Sequence, residues 1–120
     1  MMWKRMECIA IYSAHIESSI AFYEAMGLEK AWDVYQDDEE RWKLVGMRFP
    51  QGNTELVLKN NPHLQMADIE IVVENVWAVY EALRPRSDVR WIRTPFPNPL
   101  GGHVAVMQAP DGHVFVLVGA

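Results

Sequence analysis

The chain contains the same unit twice. Cys8-Ile9-Ala10-Ile11 parallels Asp68-Ile69-Glu70-Ile71, and Pro50-Gln51-Gly52 parallels Pro110-Asp111-Gly112, both at an offset of 60 residues in a chain of 120. Between these anchors each half reads as strand, helix and three strands, so the repeat is a whole supersecondary unit and not a short solenoid period. A fold of this kind is α+β, and its two halves must solve the same packing problem in the same way.

Within the first half, Glu7 to Tyr12 is a short apolar run suited to a buried strand. Ile16, Ile20 and Tyr23 form one helical stripe, with Phe22 and Met26 beside it and Gly27 as the stop, which predicts a helix over 16–26. Three extended segments follow at 30–35, 41–49 and 54–58, separated by the acidic turn Gln36-Asp37-Asp38-Glu39-Glu40 and by Pro50-Gln51-Gly52-Asn53. The segment 59–66, with Asn60-Asn61-Pro62, reads as a linker. The second half repeats the plan with a strand over 67–73 and Asn75 as a helix N-cap. Val76, Val79, Tyr80 and Leu83 line a helical stripe that Pro85 ends, and strands follow at 89–94, 103–108 and 114–118. Pro95-Phe96-Pro97-Asn98-Pro99-Leu100-Gly101-Gly102 is too rich in Pro and Gly for a strand and is expected to be an ordered loop.

At this length the chain fits one domain, residues 1–120, with unit one over about 6–58, the linker at 59–66 and unit two over about 67–119. The net charge of −5 argues against nucleic acid as a partner, since phosphate contacts need clustered Lys and Arg. No apolar stretch approaches the roughly 18 residues of a membrane span, and no export signal is legible. The single cysteine, Cys8, fits a reducing cytoplasm, which is the expected location.

Strand alternation assigns faces. If Ile9, Ile11, Ile69, Ile71 and Val73 pack under the helices, then Cys8, Ala10, Tyr12, Asp68, Glu70 and Val72 point the other way, together with Glu55, Val57, Val114, Val116 and Val118. Three carboxylates, Glu55, Asp68 and Glu70, would then line a concave face, where Arg48, Arg90, Arg93 or a cationic ligand could neutralise them. Trp32, Trp42, Trp91 and Phe96 are available to stack on a planar or cationic ligand or to serve as packing. Of the four histidines, His103, beside Gly101-Gly102, is the best placed for acid–base chemistry, while His15, His63 and His113 sit at a helix start, in the linker and in a turn. Cys8 has no local base to activate it and reads as a small buried hydrophobe.

Two βαβββ units, Ser19-Ile20-Ala21-Phe22-Tyr23-Glu24-Ala25-Met26-Gly27-Leu28 on the first helix, and Ala109-Pro110-Asp111-Gly112-His113 before the last strand resemble the vicinal oxygen chelate superfamily. That superfamily includes glyoxalase I, bleomycin-resistance proteins, fosfomycin-resistance enzymes and extradiol dioxygenases. The resemblance implies two βαβββ units forming a curved mixed sheet around a cleft, and a homodimer. In metal-dependent members it also implies a divalent ion held from the first and last strands of each unit. Carried over, those positions are Cys8, Glu55, Asp68 and Val116, and only Glu55 matches the common pattern of His and Glu. Valine offers no lone pair, and a Cys8, Glu55 and Asp68 set would mix soft and hard donors.

The reading is therefore a metal-independent small-molecule binder resembling the bleomycin-resistance branch, taking a cationic or aromatic compound without a cofactor. Its expected ligand contacts are Tyr12, Trp42, Glu55, Asp68, Glu70, Trp91, Phe96 and His103. The alternative is a lyase or dioxygenase of the same superfamily that uses a divalent metal, with Cys8, Glu55 and Asp68 as candidate ligands.

Overall fold

Each half of the chain folds as a helix laid on a four-stranded mixed sheet. The computed structural model describes residues 2–35, 39–99 and 101–120; Gln36, Asp37 and Asp38 of the expected acidic turn, and Leu100 of the expected loop, lie outside the described residues. The elements are β1 (Trp3–Tyr12), α1 (Ile16–Ala25), β2 (Glu29–Tyr35), β3 (Lys43–Arg48), β4 (Glu55–Lys59), β5 (Asp68–Val73), α2 (Val76–Leu83), β6 (Arg90–Pro97), β7 (His103–Gln108) and β8 (Val114–Gly119). One compact unit is Cys8–Ala67; the other is Asp68–Ala120 together with the first part of β1. No helix among the described residues is long and apolar enough to cross a membrane.

In the first unit β2 pairs antiparallel with β3, β3 antiparallel with β4, and β4 parallel with β1. The second unit repeats this: β6 with β7 and β7 with β8 antiparallel, and β8 parallel with β5. The parallel ladders carry the repeat down to single residues. Ile9 faces Leu56 in one and Ile69 faces Phe115 in the other. The first strands thus correspond at an offset of 60 and the last strands at 59, so Glu55 corresponds to Val114 and not to Val116.

The stripes select their faces as periodicity requires. In the first unit Ile16, Ile20 and Leu28 pack on Val45, Met47 and Leu58, with Ile11, Tyr23 and Leu56 alongside. In the second, Val76 and Val79 pack on Ile71, Val73, Ala105, Met107 and Leu117. Burying one such aliphatic side chain stabilises by about 1.5–3 kcal/mol, so these two clusters supply most of the driving force. Helix α1 ends in a Schellman arrangement: Leu28 N–H donates to Tyr23 O (3.1 Å), Gly27 N–H to Glu24 O (3.0 Å), and Gly27 takes φ 100°. Helix α2 begins at Asn75, whose Oδ1 accepts the Ala78 N–H at 2.9 Å.

Two elements depart from the sequence expectation. Residues 95–97, expected in a loop, continue β6 through Pro95 and Pro97. The strand has a ladder neighbour on one side only, and its register shifts between Arg93 and Phe96, so the missing proline N–H groups are not needed for pairing. Strand β1 begins at Trp3, four residues before the expected start, and the Trp3 ring lies 5.0 Å from that of Phe115. Aromatic packing here holds a stretch whose exposed Lys4 and Arg5 interrupt the apolar pattern. Lys59, expected to open the linker, closes β4.

Candidate functional site

The face of each sheet turned away from its helix is where side chains remain uncommitted to the helix-side clusters. In the first unit this open face is set by alternation from Ile11, Leu56, Leu58, Val45 and Met47, which pack under α1. Cys8, Ala10 and Tyr12 of β1 therefore lie on it with Glu55, Val57 and Lys59 of β4 and Gly46 and Arg48 of β3. The ladders set Cys8 and Arg48 on either side of Glu55, Ala10 and Gly46 on either side of Val57, and Tyr12 beside Lys59.

Across this face lies Trp32. Its Nε1–H donates to Glu55 Oε1 at 3.0 Å. The ring covers Gly46, so that a Cβ there would stand 2.1 Å from both Cε2 and Nε1 of the indole. The glycine is what admits the ring, because any side chain would occupy the same space. One end of the indole is thus set by a carboxylate and its body by bare backbone, an aromatic surface with little freedom to turn. Lys59, only 3% exposed, donates from Nζ to Met66 O at 2.5 Å, which draws the connection after β4 over the end of this face. A buried ammonium needs such acceptors, since desolvation otherwise disfavours its charge. Trp42, one residue before β3, is half-buried.

In the second unit the open face is a floor of valines. Val104 pairs with Val118, Val106 with Val116, and Gln108 with Val114. Glu70 lies beside Val116 and Val72 beside Val118, and Asp68 is two residues before Glu70 on the same side. Arg93 and Phe96 close its outer edge opposite Val106 and Val104, with the Arg93 guanidinium carbon 3.9 Å from the centre of the Phe96 ring. Such an arrangement holds a cation flat on an aromatic face.

The structure divides the residues singled out from the sequence. Tyr12 and Glu55 share the open face of the first unit, and Asp68, Glu70 and Phe96 that of the second. Trp91 and His103 do not join them. Trp91 pairs with Met107 and packs into the helix-side core, its ring 4.9 Å from that of Tyr80. His103 pairs with Gly119, and its ring lies 6.4 Å from that of Trp77 on α2. Trp91 Nε1 and His103 Nδ1 are buried without hydrogen-bond partners among the described residues. The expected acidic character is also diluted, because Arg48 and Lys59 share a face with Glu55, and Arg93 shares one with Asp68 and Glu70. Sequence reasoning passed over Gly46 and Lys59. A lone glycine within Lys43-Leu44-Val45-Gly46-Met47-Arg48 signals close approach by another group, and simple alternation from Glu55 and Val57 reaches Lys59.

The donor set does not suit a divalent ion. Cys8 is buried beside Glu55, and one Glu55 oxygen already accepts the Trp32 N–H. Both valines that could stand for the last-strand ligand of the second unit, Val114 by register and Val116 by resemblance, lack a lone pair. Among the described residues no group of three or more His, Cys, Asp or Glu could hold a metal.

Solved structures share this architecture at low sequence identity. Methylmalonyl-CoA epimerase from Mycobacterium tuberculosis superposes with a TM-score of 0.77 at 14% identity, over 98% of this chain and 89% of that one. Streptomyces coelicolor methylmalonyl-CoA epimerase, in complex with 2-nitronate-propionyl-CoA, gives 0.75 at 17% identity, over 98% and 95%. A glyoxalase/bleomycin resistance protein/dioxygenase superfamily member from Vibrio splendidus 12B01 gives 0.73 at 16% identity, over 97% and 98%. These likenesses are of fold alone. No curated protein sequence matches the chain. The model of one sequence family matches residues 5–117, which together with the paired βαβββ units makes this chain a member of the Glyoxalase/Bleomycin resistance protein/Dioxygenase superfamily.

Proposed function

We propose that the protein binds a small, flat organic molecule without a metal, with the open face of the first unit as its principal contact surface. The observation that carries this reading is Trp32, held by Glu55 and seated on Gly46. An aromatic surface fixed before the ligand arrives loses little rotamer freedom on stacking, so more of the contact energy remains as affinity. Tyr12 and Trp42 supply further aromatic contacts, and Arg48 beside Glu55 gives the ligand one donor and one acceptor to meet. In the second unit the valine floor, with Asp68, Glu70 and Phe96 around it, supports the same kind of ligand by apolar contact. Because the carboxylates share their faces with Arg48, Lys59 and Arg93, an aromatic ligand is favoured over one chosen for positive charge alone. The reading includes a homodimer; exposed Phe22 on α1, Met26 at its C-cap and Trp77 on α2 are suited to contact between copies.

The test is elemental analysis of the protein with thermal-shift panels of Zn²⁺, Mn²⁺, Fe²⁺, Ni²⁺ and Co²⁺ and of neutral and cationic aromatic compounds. A ligand at 100 times its Kd should stabilise the native state by about 2.7 kcal/mol. The expected outcome is a shift with aromatic compounds that weakens in Trp32→Ala, and none with metals. About one metal per chain, with a melting shift that Glu55→Gln abolishes, would overturn the reading in favour of a metal-dependent lyase or dioxygenase.

A further inference from the structure

A cavity of about 420 Å³ lies on the helix side of the second unit, away from the valine floor. Its walls include Met2 and Trp3 from the start of the chain, Leu83 and Arg86 from the end of α2 and the turn after it, and Val89 and Met107. Met107 belongs to the helix-side core cluster, and the half-buried Leu83 and Val89 pack against it, so the cavity borders the packed interior of this unit. The volume falls within the range of about 300–1,000 Å³ common to small-molecule sites. Methionine at two positions gives a lining that adapts to the shape of its occupant. Trp3, 36% exposed, is steadied by the Phe115 ring and offers an aromatic wall.

The polar feature is Arg86. Its Nε and Nη2 donate to Asp88 Oδ1 and Oδ2 at 2.9 and 2.7 Å. The backbone of the turn is tied by Arg86 N–H to Leu83 O (3.0 Å) and Val89 N–H to Arg86 O (3.4 Å). One edge of the guanidinium is therefore anchored, and Nη1 keeps its donors free of any protein partner among the described residues. A planar fork with one edge fixed and the other available suits an acid oxygen, because the geometry is set before the ligand arrives.

We propose that this cavity is a binding site for a small apolar acid, an aryl or short-chain carboxylate or sulfonate. The body of the ligand packs on Trp3, Leu83 and Met107, and its acid group accepts from Arg86 Nη1. Asp88 works against the ligand's charge while orienting the guanidinium, so it limits affinity and favours acids with a large apolar body.

Two fluorescent probes with related ring systems test this on the full chain: 8-anilinonaphthalene-1-sulfonate, an anion, and N-phenyl-1-naphthylamine, which lacks the sulfonate. Both should bind saturably, Trp3→Ala should weaken both at this cavity, and Trp32→Ala, which removes the aromatic surface proposed for the first unit, should leave that binding unchanged. Arg86→Met should raise the Kd of the sulfonate alone by roughly 5–10-fold, the effect of one charge-assisted hydrogen bond near the surface. Asp88→Asn should tighten the sulfonate several-fold by removing the competing carboxylate. Equal sulfonate affinity in wild type and Arg86→Met, or unchanged binding of both probes in Trp3→Ala, overturns the proposal. A chain that sediments as a dimer, excludes both probes and admits them only on dilution also overturns it, and assigns the cavity to a second copy.

Discussion

Replacing Gly46 with alanine should cost the protein stability out of proportion to one methyl group, and the size of the loss follows from the indole above it. The new Cβ would sit 2.1 Å from Trp32 Cε2 and Nε1 and 2.6 Å from Cζ2. Restoring ordinary contact requires the ring to withdraw by about 1.4 Å, which breaks its 3.0 Å hydrogen bond to Glu55. Loss of a hydrogen bond to a charged acceptor costs about 1.5–3 kcal/mol, the lower figure applying to a half-buried pair. Overpacking adds about 1–3 kcal/mol if the ring cannot leave completely. Against this, alanine in a strand recovers roughly 0.5–1 kcal/mol through the unfolded chain. The net expectation is about 2 kcal/mol, which for a chain of this length lowers Tm by about 8 °C. Thermal melts followed by circular dichroism measure it, and a double-mutant cycle with Trp32→Ala isolates the cause. In the Trp32→Ala background Gly46→Ala should be neutral or slightly stabilising. A full-sized loss that persists in that background, or a Gly46→Ala variant as stable as wild type, would refute the reasoning.

Other positions give sharper or smaller effects. Asn75→Ala removes the acceptor for the Ala78 N–H and should cost about 1 kcal/mol, read as a lower urea midpoint at unchanged slope. Gly119→Ala drives a Cβ to 2.1 Å from Val73 O, a backbone atom that cannot step aside, and should cost more than about 2 kcal/mol by the same measurement. The acid limb of stability carries a contribution of definite sign. Hydrogen bonds from Lys30 and Arg86 hold Asp33 and Asp88 below their ordinary 3.8. Their contribution is present above that value and is lost as pH falls through the lowered folded pKa. Asp33→Asn with Asp88→Asn should flatten the pH dependence there and leave it unchanged at neutral pH.

Much of the fold was legible because periodicity is a local signal. Ile16, Ile20 and Tyr23 specify a helix face without knowledge of what they touch, and the short apolar run Val104 to Met107, too short for a helix, reads as a strand buried on both faces. The repeat extended that reading from one half to the other. Illegible features were those that depend on a neighbour far away in sequence. Pro95 and Pro97 look like loop residues until β6 is known to be an outer strand with an irregular register. Trp91 and His103 looked available for a ligand, but their faces follow from Met107 and Gly119 across the ladders, and a shift between Trp91 and Arg93 defeats counting along the chain. The register also corrects the equivalent of Glu55 to Val114, though the chemical conclusion is the same for either valine. Glu55 itself was singled out, while the indole that engages one of its oxygens reaches it from 23 residues away.

The irregular outer strands bear on how copies of this chain can meet. Both β2 and β6 have a ladder neighbour on one side only, and both carry register shifts, at Lys30/Trp32 and between Trp91 and Phe96. A foreign strand laid along β6 would find no amide hydrogen at Pro95 or Pro97, and along β2 it would meet the Lys30–Asp33 ion pair where the pleat is broken. Neither edge offers the uninterrupted row of donors and acceptors that templates fibril growth. Association between copies is thereby steered toward side-chain surfaces, and the protein is expected to resist amyloid-like polymerisation even where its native state is crowded.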